Sequence, residues 1–180
     1  MNSLPVGICF QTWDAPVGRL FIAADGEALR AVAFEGNWPR IRSTLGNVQE
    51  QTHPLIEQTI AQLQAYFAGK RQAFDVPLLL AGTDFQQRTW QALRTIPYGE
   101  TRSYSEQAGA IGQPQAVRAI GHTNGLNPIS IVVPCHRVIA KSGKLAGYAG
   151  GLAAKQFLLD LEQFTGLGSL PGRPPALRSE

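Results

Sequence analysis

The hydrophobic pattern of this chain changes period near Gly82, and that change sets what the chain can fold into. Before it, three apolar runs, Ile8 to Trp13, Gly18 to Ala24 and Leu29 to Phe34, lie close together, and Asp25-Gly26 separates the last two. Short runs punctuated by turn residues predict strands joined by hairpins, so the first third reads as a small antiparallel meander. Between Pro54 and Ala68 the apolar residues Leu55, Ile56, Ile60, Leu63 and Phe67 recur at helical spacing, with Gly69 placed to end the helix. That helix covers one face of the sheet. A short strand over Phe74 to Pro77 precedes the boundary, which makes residues 1–82 an N-terminal α/β supporting domain.

Beyond Gly82 the pattern becomes helical. Thr83-Asp84-Phe85-Gln86 and Ser103-Tyr104-Ser105-Glu106 are both capping boxes, in which a hydroxyl and a carboxylate or amide satisfy backbone N–H groups at a helix start. The first opens a helix that stops near Pro97, and the second a short helix ended by Gly112. Pro114 suits the first turn of another helix running to Asn124-Gly125, so these two form a helix-turn-helix. Ile129 to Val133 reads as a buried strand, and Leu152 to Phe164 as a last helix. The fold class is α+β, with residues 83–164 a mainly helical domain and 165–180, rich in Pro and Gly, a mobile tail.

Composition narrows the function classes. Hydrophobic residues make up 44% and charged residues 16%, which excludes a disordered chain. The net charge of +3 suits a polyanionic partner without requiring one. Two cysteines, Cys9 and Cys135, form neither a disulfide framework nor a C-x-x-C pair, which fits a reducing compartment. The first residues carry no basic stretch followed by an apolar one, and no run reaches membrane-span length. A cytoplasmic protein without membrane contact is the expectation.

Pro134-Cys135-His136-Arg137-Val138 carries the chemistry. A thiolate is a strong nucleophile, and neighbouring cations lower a cysteine's pKa. The opposing reading is a buried cysteine acting as a small hydrophobe. Adjacent side chains on a strand point to opposite faces, so Cys135 and His136 are not expected to form a direct peptidase-like pair. Glycines 143, 147, 150 and 151 let the following loop approach a ligand closely.

Four ordered motifs, Ile96-Pro97-Tyr98-Gly99-Glu100, Arg118-Ala119-Ile120-Gly121, Asn127-Pro128 with Pro134-Cys135-His136-Arg137-Val138, and Gly147-Tyr148-Ala149-Gly150-Gly151-Leu152, resemble the O6-alkylguanine-DNA alkyltransferases, in their bacterial non-inducible form. The resemblance covers Phe85 to Glu162, and the first part of the chain matches in general plan. It implies an RNase H-like N-terminal domain and a winged helix-turn-helix-type C-terminal one. The activity implied is DNA repair by irreversible, single-turnover transfer of the alkyl group from O6-alkylguanine, and by extension O4-alkylthymine, to Cys135. A thioether cannot be removed by thiol exchange, so one molecule would repair one base.

The resemblance also assigns roles. His136 would be a base acting through water, Glu162 its orienter and Asn127 the brace of the active-site turn. Tyr104 and Arg118 would help to flip the base out of the duplex. Small residues at Ala116, Val117, Ala119 and Gly121 would let the second helix enter the minor groove. Val138, Tyr148 and Ala149 would line the alkylguanine pocket, Ala149 standing where several relatives have serine. Bland readings stay open beside these: Tyr104 as a half-buried aromatic, Arg118 as a solvated charge, Asn127-Pro128 as a plain turn. No cofactor is implied, and Cys9, His53 and His122 lack ligand spacing, so no metal is expected. The expected partner is double-stranded DNA bearing the lesion, met by a monomer. Two further readings are a related lesion-binding module, whose members lack the cysteine, and an alkylation sensor, which would need an additional DNA-binding domain.

Overall fold

The structure is a computed structural model, and it describes residues 7–166, with the side chains of 164–166 excepted. The expected tail over 165–180 therefore lies almost wholly outside the described residues. Strands β1 (Ile8–Ala15), β2 (Gly18–Ala24) and β3 (Leu29–Phe34) form the expected antiparallel meander, with Cys9 opposite Ala24 and Leu20 opposite Phe34. Two further elements follow, α1 (Trp38–Leu45) and β4 (Val48–Glu50). Strand β4 pairs in parallel with β1, so the sheet is mixed, in the order β3-β2-β1-β4.

Each face of this sheet is covered. Helix α1 lays Trp38 and Ile41 against Phe10, Ala23, Ala31 and Ala33, where Trp38 stacks on Phe21 at 5.1 Å. On the other face α2 (Pro54–Phe67) buries Ile56, Leu63, Tyr66 and Phe67. Its start is fixed by His53, whose Nδ1 accepts from Leu55 N–H at 3.1 Å, and Gly69 after its end has a φ of +73°. At that left-handed angle a side chain would be strained.

The helical half opens with α3 (Asp84–Leu93), which has the complete capping box at Thr83 and Gln86. Ser103 caps α4 (Tyr104–Ala110) by accepting from Glu106 N–H at 3.1 Å. Helix α5 begins at Val117 and ends at Gly125. The expected start at Pro114 is thus corrected: Ala116 N–H bonds back to Gln113 carbonyl at 2.9 Å, closing a turn before the helix begins. Helix α6 (Leu152–Gly166) completes the chain described. Among the described residues no helix is long and apolar enough to cross a membrane.

One apolar cluster runs from the sheet through α2 into Trp90 and Leu93 of α3, the segment Ile129 to Val138, and Phe157, Leu158 and Leu161 of α6. The join is also polar. At the edge of the sheet, Val32 N–H donates to Pro128 carbonyl at 3.0 Å and Ser130 N–H to Val32 carbonyl at 2.9 Å. Farther along the same edge Leu29 N–H donates to Pro77 carbonyl and Leu79 N–H to Leu29 carbonyl. Strand β3 therefore spends its free edge on holding the connecting segment and the approach to Cys135. The expected strand over Phe74 to Pro77 reduces to one bridge, at Leu78.

Candidate active site

Cys135 sits on a 3-10 turn, Cys135–Arg137, and not at the end of a strand. The apolar run Ile129 to Val133 fails to form a strand because Ile131 adopts a φ of +71°, which reverses the chain. Val133 N–H then bonds to Ile129 carbonyl at 2.9 Å, and Cys135 N–H to Val133 carbonyl at 2.9 Å. A left-handed β-branched residue costs energy and persists only where its surroundings hold it. Here Asn127 holds it, donating from Nδ2 to Val133 carbonyl at 2.8 Å and accepting from Ile129 N–H at 3.0 Å.

After the turn, β6 (Val138–Ile139) pairs in parallel with β5 (Arg102–Ser103), Arg102 opposite Val138. That short ladder brings Tyr104, the first residue of α4, to the cysteine. A narrow cavity of about 20 Å³ is lined by Cys135, Tyr104, Gly121, Asn127, Ser130, Tyr148 and Ala149, among others. It shares Tyr104, Gly121, Gly125 and Gly147 with an open groove of about 600 Å³, lined also by Val117, His122, Leu126 and Ala146. The loop wall is set by Gly150, where a Cβ would come within 2.5 Å of the Phe34 ring. Phe34 in turn meets Tyr148 edge-on at 5.4 Å.

Behind the cysteine lies a buried charged cluster. His136 Nε2 is 2.7 Å from Glu162 Oε2, and Arg137 Nε donates to Glu162 Oε1 at 2.6 Å and Oε2 at 3.2 Å. Arg137 Nη1 donates to Ile96 carbonyl at 2.7 Å. A carboxylate oxygen only accepts, so the imidazole donates from Nε2 to Oε2. Nδ1 is buried without a hydrogen-bond partner among the described residues, as are Ser130 Oγ and Tyr148 Oη. Burial alone would raise the Glu162 pKa, but the charges and hydrogen bonds of His136 and Arg137 outweigh it and hold the carboxyl below its ordinary value.

The expectation that His136 and Arg137 lower the thiol pKa is corrected. Both are engaged with Glu162, and burial pushes the Cys135 thiol up despite the Asn127 hydrogen bond, the Lys155 charge and a backbone hydrogen bond acting the other way. Lys155 has no counterpart in the sequence reading. It lies on α6, is 1% exposed, and donates from Nζ to Val138 carbonyl at 2.7 Å and Ala146 carbonyl at 3.2 Å. Burial lowers its own pKa. Its position within an apolar helical run gave no signal, since a lone lysine there usually points to solvent.

The remaining residues divide by place. Arg118 and Ala119 are exposed on α5, and Ala116 is half-buried at its N-terminus. Val138 is buried behind the cavity, its N–H bonded to Cys135 carbonyl and its C=O to Lys155. The helix pair α4 and α5 is locked by reciprocal amide bonds, Gln107 Nε2 to Asn124 Oδ1 at 2.9 Å and Asn124 Nδ2 to Gln107 Oε1 at 2.8 Å. No three His, Cys, Asp or Glu side chains among the described residues come together as a metal site.

Comparison with known proteins agrees over nearly the whole described chain. Residues 8–80 match the family model for the 6-O-methylguanine DNA methyltransferase ribonuclease-like domain, and residues 84–164 that for its DNA binding domain. The methylated-DNA–protein-cysteine methyltransferase of Mycolicibacterium paratuberculosis is 64% identical over 154 residues, 86% of this chain and 92% of that protein. The constitutive enzyme of that name from Bacillus subtilis is 44% identical over 158 residues, 87% of this chain and 96% of its own. The crystal structure of Mycobacterium tuberculosis OGT in complex with DNA matches with a TM-score of 0.80 at 49% identity, covering 87% of this chain and 94% of that one. These matches span both halves of the fold, and the chain belongs to the 6-O-methylguanine DNA methyltransferase family.

Proposed function

We propose that this protein repairs DNA by moving the alkyl group from O6 of an alkylated guanine onto Sγ of Cys135. The reading rests on one observation above the others: Cys135 lines a narrow cavity that shares the wall residues Tyr104, Gly121, Gly125 and Gly147 with the groove beside α5, and next to it in the chain stand His136 and Arg137, buried in a cluster with Glu162.

The chemistry follows from these groups. Cys135 starts as a neutral thiol, since burial raises its pKa. Its proton leaves through a bridging water to Nδ1 of His136, whose other nitrogen is tied to Glu162. The sulfur then displaces at the alkyl carbon: the S–C bond forms, the C–O6 bond breaks, and the electron pair is taken up by the guanine ring, which regains a proton as ordinary guanine. No redox partner or cofactor enters the balance. The thioether product is final, so each molecule acts once.

Access requires the base to leave the duplex. A cavity of about 20 Å³ holds no more than about one water. The loop carrying Gly147, Tyr148 and Ala149 therefore yields as the base enters. Helix α5 docks in the minor groove along its small residues Ala116, Ala119 and Gly121, Arg118 fills the space the base leaves, and Tyr104 steers the rotating nucleotide. Residues 83–164 bind DNA and accept the alkyl group, and residues 1–82 support them. The protein acts as a monomer in the cytoplasm, and the same displacement extends to O4-alkylthymine.

The test is intact-mass analysis after incubation with a duplex carrying O6-methylguanine. One methyl per molecule is expected, mapped by peptide to Cys135 and not to Cys9. Folded protein that binds the lesion duplex and gains no mass would instead be a recognition module.

A further inference from the structure

We propose that Tyr66, contributed by α2 of the N-terminal half, is a positioning residue for the transfer: its hydroxyl fixes the Glu162 carboxylate that orients His136. Tyr66 is fully buried, and its hydroxyl donates to Glu162 Oε2 at 3.3 Å across a sequence separation of 96 residues. That oxygen is the one bonded to His136 Nε2. Arg137 meets the carboxylate through Nε alone, because its Nη1 is occupied by the Ile96 carbonyl. Oε2 also takes the His136 Nε2 contact, but the imidazole is the group to be oriented, so carboxylate and imidazole can still tilt together about the Arg137 contact. The Tyr66 hydroxyl, a further donor on Oε2 that comes from the other half of the fold, removes that freedom.

The Tyr66 ring is itself fixed, with Phe67 at 5.3 Å, Phe74 at 5.5 Å and Tyr98 at 6.2 Å. Burial, and then the Glu162 charge, raise the phenol pKa well above its ordinary value, so the hydroxyl remains a donor throughout the working pH range. The N-terminal half thus takes part in the chemistry as well as in the fold. This inference rests on the transfer reading above.

Tyr66→Phe in the full chain removes the hydroxyl and keeps the ring. In single-turnover transfer from an O6-methylguanine duplex, its limiting rate should fall about tenfold, as for loss of one hydrogen bond to a charged group. The DNA concentration giving half that rate should not move. Alkylation of Cys135 by iodoacetamide without DNA should slow by a similar factor. Ile56→Val thins the core under the same helix, ten residues from Tyr66 and without touching Glu162, and should lower the melting temperature while leaving both rates unchanged. Wild-type rates in Tyr66→Phe overturn the proposal, and so does equal slowing in Ile56→Val, which would make the effect one of packing. If the wild-type protein transfers nothing from the duplex, the substrate reading fails, and the iodoacetamide rates still decide the role of Tyr66.

Discussion

Asn127 and Val133 are tied side chain to backbone across a loop whose middle residue, Ile131, is left-handed at a φ of +71°. The tie shapes the chain so that Cys135 follows on a tight turn. Removing it leaves the Ile129 N–H unpaired in the core, at the cost of a buried unsatisfied group, and takes from the Val133 carbonyl one of its two donors, the other being Cys135 N–H. Asn127→Ala should destabilise the protein by about 3 kcal/mol, measured by denaturant unfolding. Methyl transfer should fall even at temperatures where the variant is folded. Unchanged stability would mean that the loop holds its reversed conformation without the clamp.

Lys155 lies beneath the thiol, and both of its hydrogen bonds end on carbonyl oxygens. Its charge favours the Cys135 thiolate, opposing the burial that disfavours it. In Lys155→Met the thiol pKa should therefore rise, moving the pH profile of iodoacetamide alkylation to higher pH and slowing the reaction severalfold at neutral pH. A profile that stays in place would show that the charge is too well screened to matter.

The reciprocal amide pair of Gln107 and Asn124 sits between α4 and α5, with a further bond from Gln107 to the Thr89 carbonyl at 3.2 Å. Gln107→Ala leaves the Asn124 amide buried and unpaired, and should cost about 2 kcal/mol. Replacing both partners with leucine should recover much of that loss, because two apolar groups leave nothing unsatisfied. The double variant should still bind DNA. A double-mutant cycle with no coupling between the two positions would argue against the pair acting as a unit.

Glu162 links stability to pH. Its folded pKa is held below the ordinary carboxylate value, so the stability it contributes is present above the unfolded value of about 4.3 and is lost as pH falls through the folded pKa. Glu162→Gln also leaves Arg137 without its counter-charge, a loss of about 3–5 kcal/mol near neutrality. The difference in unfolding free energy between wild type and this variant should stay flat near neutral pH and shrink below about pH 4. A difference that grows on acidification would contradict the assignment.

Much of this fold was legible in local pattern. The three-strand meander, the Pro54 helix and the Thr83 capping box are properties of neighbouring residues, and they are found as expected. Helix α1 also had a signal, Trp38, Ile41 and Leu45 at helical spacing after Gly36-Asn37, but it is only eight residues long. What local pattern could not carry was tertiary choice. The apolar run before Cys135 has strand composition, yet the Asn127 clamp and the edge of β3 bend it into a loop. The same limit hid Lys155 and Tyr66, whose importance lies in contacts with Val138 and Glu162 that no spacing announces.

Arg118 offers the sharpest test of how the base reaches the cavity. It is exposed on α5 and takes no part in the core, so Arg118→Ala should change stability by no more than about 0.5 kcal/mol. If its side chain fills the space left by the extruded base, its loss removes part of what offsets the unstacking of the duplex, and transfer from double-stranded DNA should slow roughly tenfold. Transfer from the free methylated base needs no extrusion and should proceed at the wild-type rate. The comparison separates extrusion from chemistry, because a residue that acted on the thiol or the cavity would slow both reactions alike. Equal slowing of the two would move Arg118 out of base flipping and into the transfer step.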